Sequence, residues 1–206
     1  MNYVITSLIS YLAGSINPAY FIAKANGFDI RERGSMNAGA SNIKVNFGWG
    51  AGVFTALCDM LKAIIAIKVS GYLFPGDEVI PFFAGAMAIV GHIFPFYLGF
   101  KGGKGFASFI GMLLAINWKL ALAVMALTAI IAFVTNYIVM ATLTVICIPP
   151  IYYLYHKANI YVVLILVAVA LLIAYKHRVN IGRILRHEEI GVFDRKKKED
   201  HSTTEQ

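Results

Sequence analysis

Residues 49–74 read WGAGVFTALCDMLKAIIAIKVSGYLF, opening at Trp49 and closing at Phe74, with Asp59, Lys62 and Lys68 as the charged residues. A helix of that length is about 39 Å long at 1.5 Å per residue, enough to cross a hydrocarbon core of about 30 Å. The run is continuous and lacks the period-2 alternation of a barrel strand, so it reads as a membrane-spanning helix. Working outward, further apolar stretches cover Tyr3–Ala23, Val79–Leu98, Phe106–Ile116, Leu120–Phe133, Tyr137–Tyr155 and Ile160–Tyr175. Across the 206 residues, 59% are hydrophobic and 14% charged, against about 25% charged in an ordinary soluble domain. So few charges cannot cover a water-facing surface. The fold class expected is therefore an all-α membrane protein, one helical bundle without room for a second domain.

Charge orients the bundle. Lys24, Arg31, Arg33 and Lys44 lie in or beside the first loop, and Lys101 and Lys104 lie in the third. Lys176, Arg178, Arg183, Arg186, Arg195, Lys196, Lys197 and Lys198 follow the last span, whereas the second loop, Pro75-Gly76-Asp77-Glu78, is short and acidic. Basic loops stay in the cytoplasm, so the first loop, the third loop and the tail belong on one side. Seven crossings, with the N-terminus outside and the C-terminus cytoplasmic, satisfy this. Fusing Phe106–Ile116 and Leu120–Phe133 into one helix across Asn117-Trp118-Lys119 would place the basic tail outside. The N-terminus has no basic leader region and reads as a permanent first helix. The sequence pI of about 9.4 follows from the same loop charges and calls for no nucleic-acid partner.

Within the second span, Asp59 and Lys62 share a helix face at i, i+3 and can pair. An ionisable pair at that depth faces the bundle interior, where it either locks packing or supports a polar site. Cys58 and Cys147 are isolated thiols in apolar segments and read as small core residues, not as a disulfide or metal set.

Three polar stretches fall on the expected cytoplasmic face. The first is Gly34-Ser35-Met36-Asn37-Ala38-Gly39-Ala40-Ser41-Asn42. Small residues permit unusual backbone angles and close approach of a ligand, and Ser and Asn add short hydrogen-bonding groups. The same composition suits a flexible re-entrant turn. The second stretch is Gly91-His92-Ile93-Phe94-Pro95, then Phe100-Lys101-Gly102-Gly103-Lys104-Gly105. Two lysines around a glycine pair, opening a helix, suit a phosphate: cationic heads, free amides and a helix N-terminus. It is not a Walker A loop, because Leu98 stands where the first glycine belongs and Gly105 where Ser or Thr belongs. As composition alone it also suits a basic membrane anchor. The third is His177-Arg178-Val179-Asn180-Ile181-Gly182-Arg183, which puts His177, Asn180 and Arg183 near one helix face, or a juxtamembrane helix on anionic lipid. His187-Glu188-Glu189 is too scattered in direction for a metal site, and no metal or other cofactor is expected.

Taken in order, the three stretches resemble the motifs of the small bacterial membrane acyltransferases that acylate glycerol 3-phosphate from acyl phosphate. Those motifs run Gly-Ser-x-Asn-x-Gly-Ala-Thr/Ser-Asn, then Gly-His-x-x-Pro…Phe-Lys-Gly-Gly-Lys-Gly, then His-Arg-x-Asn-Ile-x-Arg. The resemblance extends from about Ser15-Ile16-Asn17-Pro18 to Glu189. It departs at Met36 (usually Gly), at Val45 (Arg, here with Lys44 alongside), at Asn136 (Arg), at Thr142 (commonly Ser) and at His187-Glu188-Glu189 (often Gly-Thr-Glu). The resemblance implies transfer of a fatty acyl group to the 1-hydroxyl of glycerol 3-phosphate, giving lysophosphatidic acid and phosphate. It assigns catalytic roles to Ser35, Lys104, His177 and Asn180. Substrate and phosphate binding falls to Asn37, Asn42, Lys44, His92, Lys101, Gly102, Gly103, Thr142 and Arg183. It implies a single transmembrane acyltransferase domain over residues 1–192 and a charged, disordered cytoplasmic tail over 193–206. The expected partners are acyl phosphate, glycerol 3-phosphate and membrane lipid, with the chain acting as a monomer. The expected location is the bacterial plasma (inner) membrane, multi-pass, with the site facing the cytoplasm. The departures leave two other readings open: a relative using another acceptor, or a non-catalytic lipid- or anion-binding or transport protein.

Overall fold

A computed structural model describes residues 1–193, so the expected charged tail, apart from Phe193, lies outside the described residues. Among them the secondary structure is helical throughout: α1 (Asn2–Ser15), α2 (Pro18–Ala25), α3 (Ala40–Phe47), α4 (Trp49–Leu73), α5 (Ile80–Ile93), α6 (Phe106–Ile116), α7 (Trp118–Thr135), α8 (Ile138–Val145), α9 (Ile148–Tyr155), α10 (Ile160–Lys176) and α11 (Arg178–Leu185). Four helical stretches are long and apolar enough to cross a membrane: Trp49–Leu73, Ile80–Leu98, Trp118–Thr135 and Ile138–Tyr155. A fifth is α10 taken with α11, bent by 46° at His177. Large apolar side chains line the outside of these helices, among them Val53, Leu57 and Leu61 of α4 and Leu164 and Leu171 of α10. This is the surface of an all-helical integral membrane protein.

The breaks have local causes. The apolar run expected as one span from Tyr3 to Ala23 is two helices, because Pro18 cannot continue the hydrogen-bond ladder. Asn17 caps the second piece: its Oδ1 accepts from Tyr20 N–H at 2.8 Å, while its Nδ2 donates to Ala38 O at 3.0 Å. Asn17 thereby fastens the first loop to the kink. Asn117 separates α6 from α7 in the same way, accepting from Leu120 N–H at 3.0 Å, so the fused-helix alternative does not hold. At 11 residues, α6 is about 16 Å long, half of a hydrocarbon core.

Helices approach closely where side chains are smallest, as membrane bundles require. A Cβ on Gly14 would stand 2.1 Å from Ala88 O, and one on Gly91 would stand 2.2 Å from Tyr11 O, so α1 and α5 touch backbone to backbone. Gly111 does the same for α6 against Met60 of α4. The cysteines depart from expectation: Cys147 is exposed on the outer surface and Cys58 is half-buried, neither a core residue. At that depth the outer surface faces lipid, where a thiol needs no polar partner.

Candidate functional site: a cavity with polar and apolar walls

The first loop folds around Asn42, which is fully buried. Its Oδ1 accepts from Ser35 N–H at 3.0 Å, and its Nδ2 donates toward Ile30 O, Arg33 O and Asn37 O at 2.9, 2.9 and 3.0 Å. One amide thus replaces the missing secondary structure of the loop. Gly34 stands at φ +60, and a Cβ there would meet Asn42 Oδ1 at 2.3 Å. Asn42 does not line the cavity, but it presents Ser35 and Asn37, which do.

The third loop is seated on His92. Lys62 Nζ lies 2.8 Å from Asp59 Oδ1, 2.9 Å from His92 Nδ1 and 2.6 Å from Ile16 O. An ammonium has three N–H bonds and no lone pair, so all three contacts are donations. That assigns the imidazole proton to Nε2, and the 3.2 Å approach of Nδ1 to Asp59 is made by two acceptors sharing one cation. The Asp59–Lys62 pair expected from spacing exists, and it ties α4 to α5 and to the kink after α1.

On this fixed ring lie Gly102 and Gly103. Their N–H groups donate to Ile93 O and His92 O, each at 3.0 Å, so these amides are spent on the loop and are not free for a ligand. A Cβ would stand 2.1 Å from His92 O at Gly102 and 2.0 Å from His92 Nε2 at Gly103, which explains both glycines. The amides available to an anion come one turn later. Gly105, at φ +95, swings the chain into α6, whose first-turn N–H groups have no intrahelical acceptor; Gly105, Phe106 and Ala107 all line the cavity.

The third stretch adds polar groups to the same cavity. His177 Nδ1 donates to Ile173 O at 2.8 Å, leaving Nε2 as an acceptor on a ring that lines the cavity. Burial first, and Lys104 after it, push this imidazole down to about 4, against the bond to Ile173, so it is neutral at pH 7. Lys104 Nζ donates to Asn180 Oδ1 at 2.5 Å, and Asn180 Nδ2 donates to Glu189 Oε1 at 2.5 Å. Burial pushes the Lys104 ammonium down to about 8, opposed by Glu189 and reinforced by Arg183 and Lys176. Arg183 acts on the site through this field and does not line the cavity.

The cavity, of about 370 Å³, gathers Ser35, Asn37, Lys44, His92, Lys104, Thr142, His177 and Asn180. Its other walls are apolar: Trp49, Val53, Ala56, Met60, Phe106, Ile110, Ile138 and Val139 from α4, α6 and α8. Lys101 and Gly102 fall instead in a neighbouring polar cavity with Asp29, Arg31, Glu32 and Lys176, which shares Asn37 with the first. Sequence reasoning left Asp59 between a packing role and a polar site, and assigned no site role to the segment from Glu189 onward. Glu189, Ile190, Gly191 and Val192 line the cavity. Lys44 Nζ donates to Val192 O at 2.6 Å, Asn136 O accepts from Val192 N–H at 2.7 Å, and Asn136 Oδ1 accepts from Phe193 N–H at 3.0 Å. The signal was present in Asn136, a residue suited to the left-handed turn it makes at φ +61, but its partners lie 56 and 57 residues on.

Residues 4–187 match the family model described as glycerol-3-phosphate acyltransferase. A glycerol-3-phosphate acyltransferase of Prochlorococcus marinus (strain MIT 9215) is 37% identical over 184 residues, 87% of this chain and 92% of that one. One from Clostridioides difficile (strain 630) is 34% identical over 202 residues, 95% and 98% of the two chains. The crystal structure of PlsY (YgiH), an integral membrane glycerol 3-phosphate acyltransferase, in its glycerol 3-phosphate form, superposes with a TM-score of 0.86 at 30% identity, covering 93% of this chain and 96% of that one. Its lysophosphatidic acid form gives 0.81 at 29% identity, over 93% and 95%. By sequence over nearly its whole length and by fold, the chain belongs to the glycerol-3-phosphate acyltransferase family.

Proposed function

We propose that this protein transfers a fatty acyl group from acyl phosphate to the 1-hydroxyl of glycerol 3-phosphate, and that the cavity described above is where it does so. The observation that carries the reading is the lining of that cavity. Lys104, His177, Asn180, Ser35 and Asn37 line it together with apolar side chains of α4, α6 and α8. A phosphate-bearing headgroup with an acyl chain has that mixed polarity.

The donor is a mixed anhydride, already activated, so positioning supplies much of the rate. The 1-oxygen of glycerol 3-phosphate forms the new ester bond to the acyl carbon. The bond from that carbon to the phosphate oxygen breaks, and the hydroxyl proton passes to a phosphate oxygen, giving lysophosphatidic acid and inorganic phosphate. Lys104, cationic below about pH 8, and the first-turn amides of α6 hold phosphate charge. Neutral His177 accepts at Nε2 and orients the attacking hydroxyl, with Ser35, Asn37, Asn180 and Thr142 completing the polar wall. Lys44 and His92 border the same space, Asn42, Gly102 and Gly103 shape the loops that carry it, and Lys101 and Arg183 draw anions toward it from the adjoining surface. The acyl chain lies along Trp49, Val53, Ala56 and Met60.

The basic loops support a topology of seven crossings, N-terminus outside, with α6 as a short tilted crossing. The site then faces the cytoplasm of a bacterial plasma (inner) membrane, where glycerol 3-phosphate arrives from water and the acyl donor from the bilayer. Residues 1–192 act as one domain, and the chain works as a monomer. Replacing Lys104 by Ala abolishes transfer from palmitoyl phosphate to glycerol 3-phosphate in lipid vesicles; unchanged turnover would overturn the site assignment.

A further inference from the structure

Besides Asp59, which Lys62 neutralises, the cavity is lined by an acidic side chain that the chemistry above does not use. Glu189 is carried there by the segment after α11, which Lys44 and Asn136 pin at Val192 and Phe193. Its Oε1 accepts from Asn180 Nδ2 at 2.5 Å. Glu189 lines the cavity, and its Oε2 is buried with no hydrogen-bond partner among the described residues. A buried carboxylate oxygen without a donor is costly, and its place calls for an explanation. A substrate phosphate cannot supply one, because its ionised oxygens only accept. A polyol can. The 1-hydroxyl of glycerol 3-phosphate gives up its proton in the reaction, which leaves the 2-hydroxyl as the donor.

We propose that Glu189 is a specificity-determining residue: its free Oε2 accepts a hydrogen bond from the 2-hydroxyl of the acceptor while Oε1 holds Asn180. This rests on the reaction proposed above and adds how the acceptor is recognised. The carboxylate reads a vicinal diol phosphate against a simple hydroxyalkyl phosphate. It also explains why an acidic residue stands in a phosphate-binding cavity: it selects the part of the acceptor that is not phosphate. Asn136 is a positioning residue for it, outside the cavity, since its main-chain and side-chain oxygens fix the turn that brings Glu189 inward.

The test uses the full chain in lipid vesicles with palmitoyl phosphate as donor and two acceptors, glycerol 3-phosphate and 3-hydroxypropyl phosphate, which lacks only the 2-hydroxyl. The protein is expected to favour glycerol 3-phosphate in kcat/KM by about 10- to 100-fold, the range for a hydrogen bond to a charged group. In Glu189→Ala, which also loosens Asn180, both rates fall, but the ratio collapses to within about threefold. Glu189→Asp keeps the charge, withdraws the oxygens by one methylene, and lowers the ratio without the loss of folding that truncation risks. Equal use of the two acceptors by the unmodified protein, where an ordered water satisfies Oε2, would overturn the inference. So would a ratio preserved in both variants. Transfer to neither acceptor would overturn the proposed reaction instead.

Discussion

Gly103→Ala isolates the geometric claim that His92 is the seat of the phosphate loop. The new Cβ would stand 2.0 Å from His92 Nε2, whereas ordinary contact begins near 3.4 Å, so a shift of about 1.4 Å has to be found. His92 cannot supply it cheaply, because Lys62, itself fixed by Asp59, holds the opposite edge of the ring at 2.9 Å. The loop has to move instead, breaking Gly103 N–H···O His92 and carrying Lys104 with it. A misplacement of about 1 Å in a positioning group costs on the order of 100-fold in rate, or about 2.7 kcal/mol of transition-state stabilisation. The assay is steady-state phosphate release from palmitoyl phosphate with glycerol 3-phosphate, on protein whose thermal unfolding in detergent is monitored in parallel. Gly71→Ala on α4, where nothing lies within 4 Å of the new methyl group, is the control and is expected to leave kcat/KM unchanged. A Gly103→Ala variant within about threefold of the parent would refute the reasoning, since the clash could then be absorbed without moving Lys104.

Other consequences are separate. With Lys104 pushed down to about 8, the cationic form persists below that pH and is lost above it, so kcat/KM for glycerol 3-phosphate falls tenfold per pH unit on the alkaline side; Lys104→Arg moves that limb upward beyond pH 10. His177, pushed down to about 4, stays neutral from pH 5.5 to 8, so its imidazole nitrogen resonances do not titrate over that interval. Lys62→Met leaves Asp59 buried without its cation and destabilises the protein by about 3–5 kcal/mol, whereas the double change with Asp59→Leu restores most of the unfolding temperature. Ala56→Phe fills the apolar wall and raises KM for palmitoyl phosphate at least tenfold while leaving KM for glycerol 3-phosphate unchanged.

Much of this arrangement was legible in the residues, for physical reasons that differ from element to element. Continuous apolar runs announce helices directly, since a bilayer leaves the backbone no alternative. Pro18 and Asn117 announce where runs break, yet a hydropathy reading passed over Pro18 because one proline in an apolar stretch does not lower the mean. The i, i+3 spacing of Asp59 and Lys62 gave their pairing, but not His92, whose arrival depends on how α5 packs on α4. Gly102 and Gly103 were read as donors to an anion; the structure uses their N–H groups internally and needs the glycines for the space of a missing Cβ. Composition cannot separate those two demands. The strap from Glu189 to Phe193 was illegible because its anchors, Lys44 and Asn136, are far away in sequence and bind main-chain atoms, which leave no mark on residue type.

The central claim is that this cavity joins an acyl phosphate to glycerol 3-phosphate, and one measurement addresses it directly: phosphate and lysophosphatidic acid formed by the purified protein in lipid vesicles, given palmitoyl phosphate with and without glycerol 3-phosphate. The expected result is release of phosphate only when both substrates are present, in one-to-one yield with lysophosphatidic acid. Phosphate released equally without acceptor, or no lysophosphatidic acid from folded protein, would contradict it.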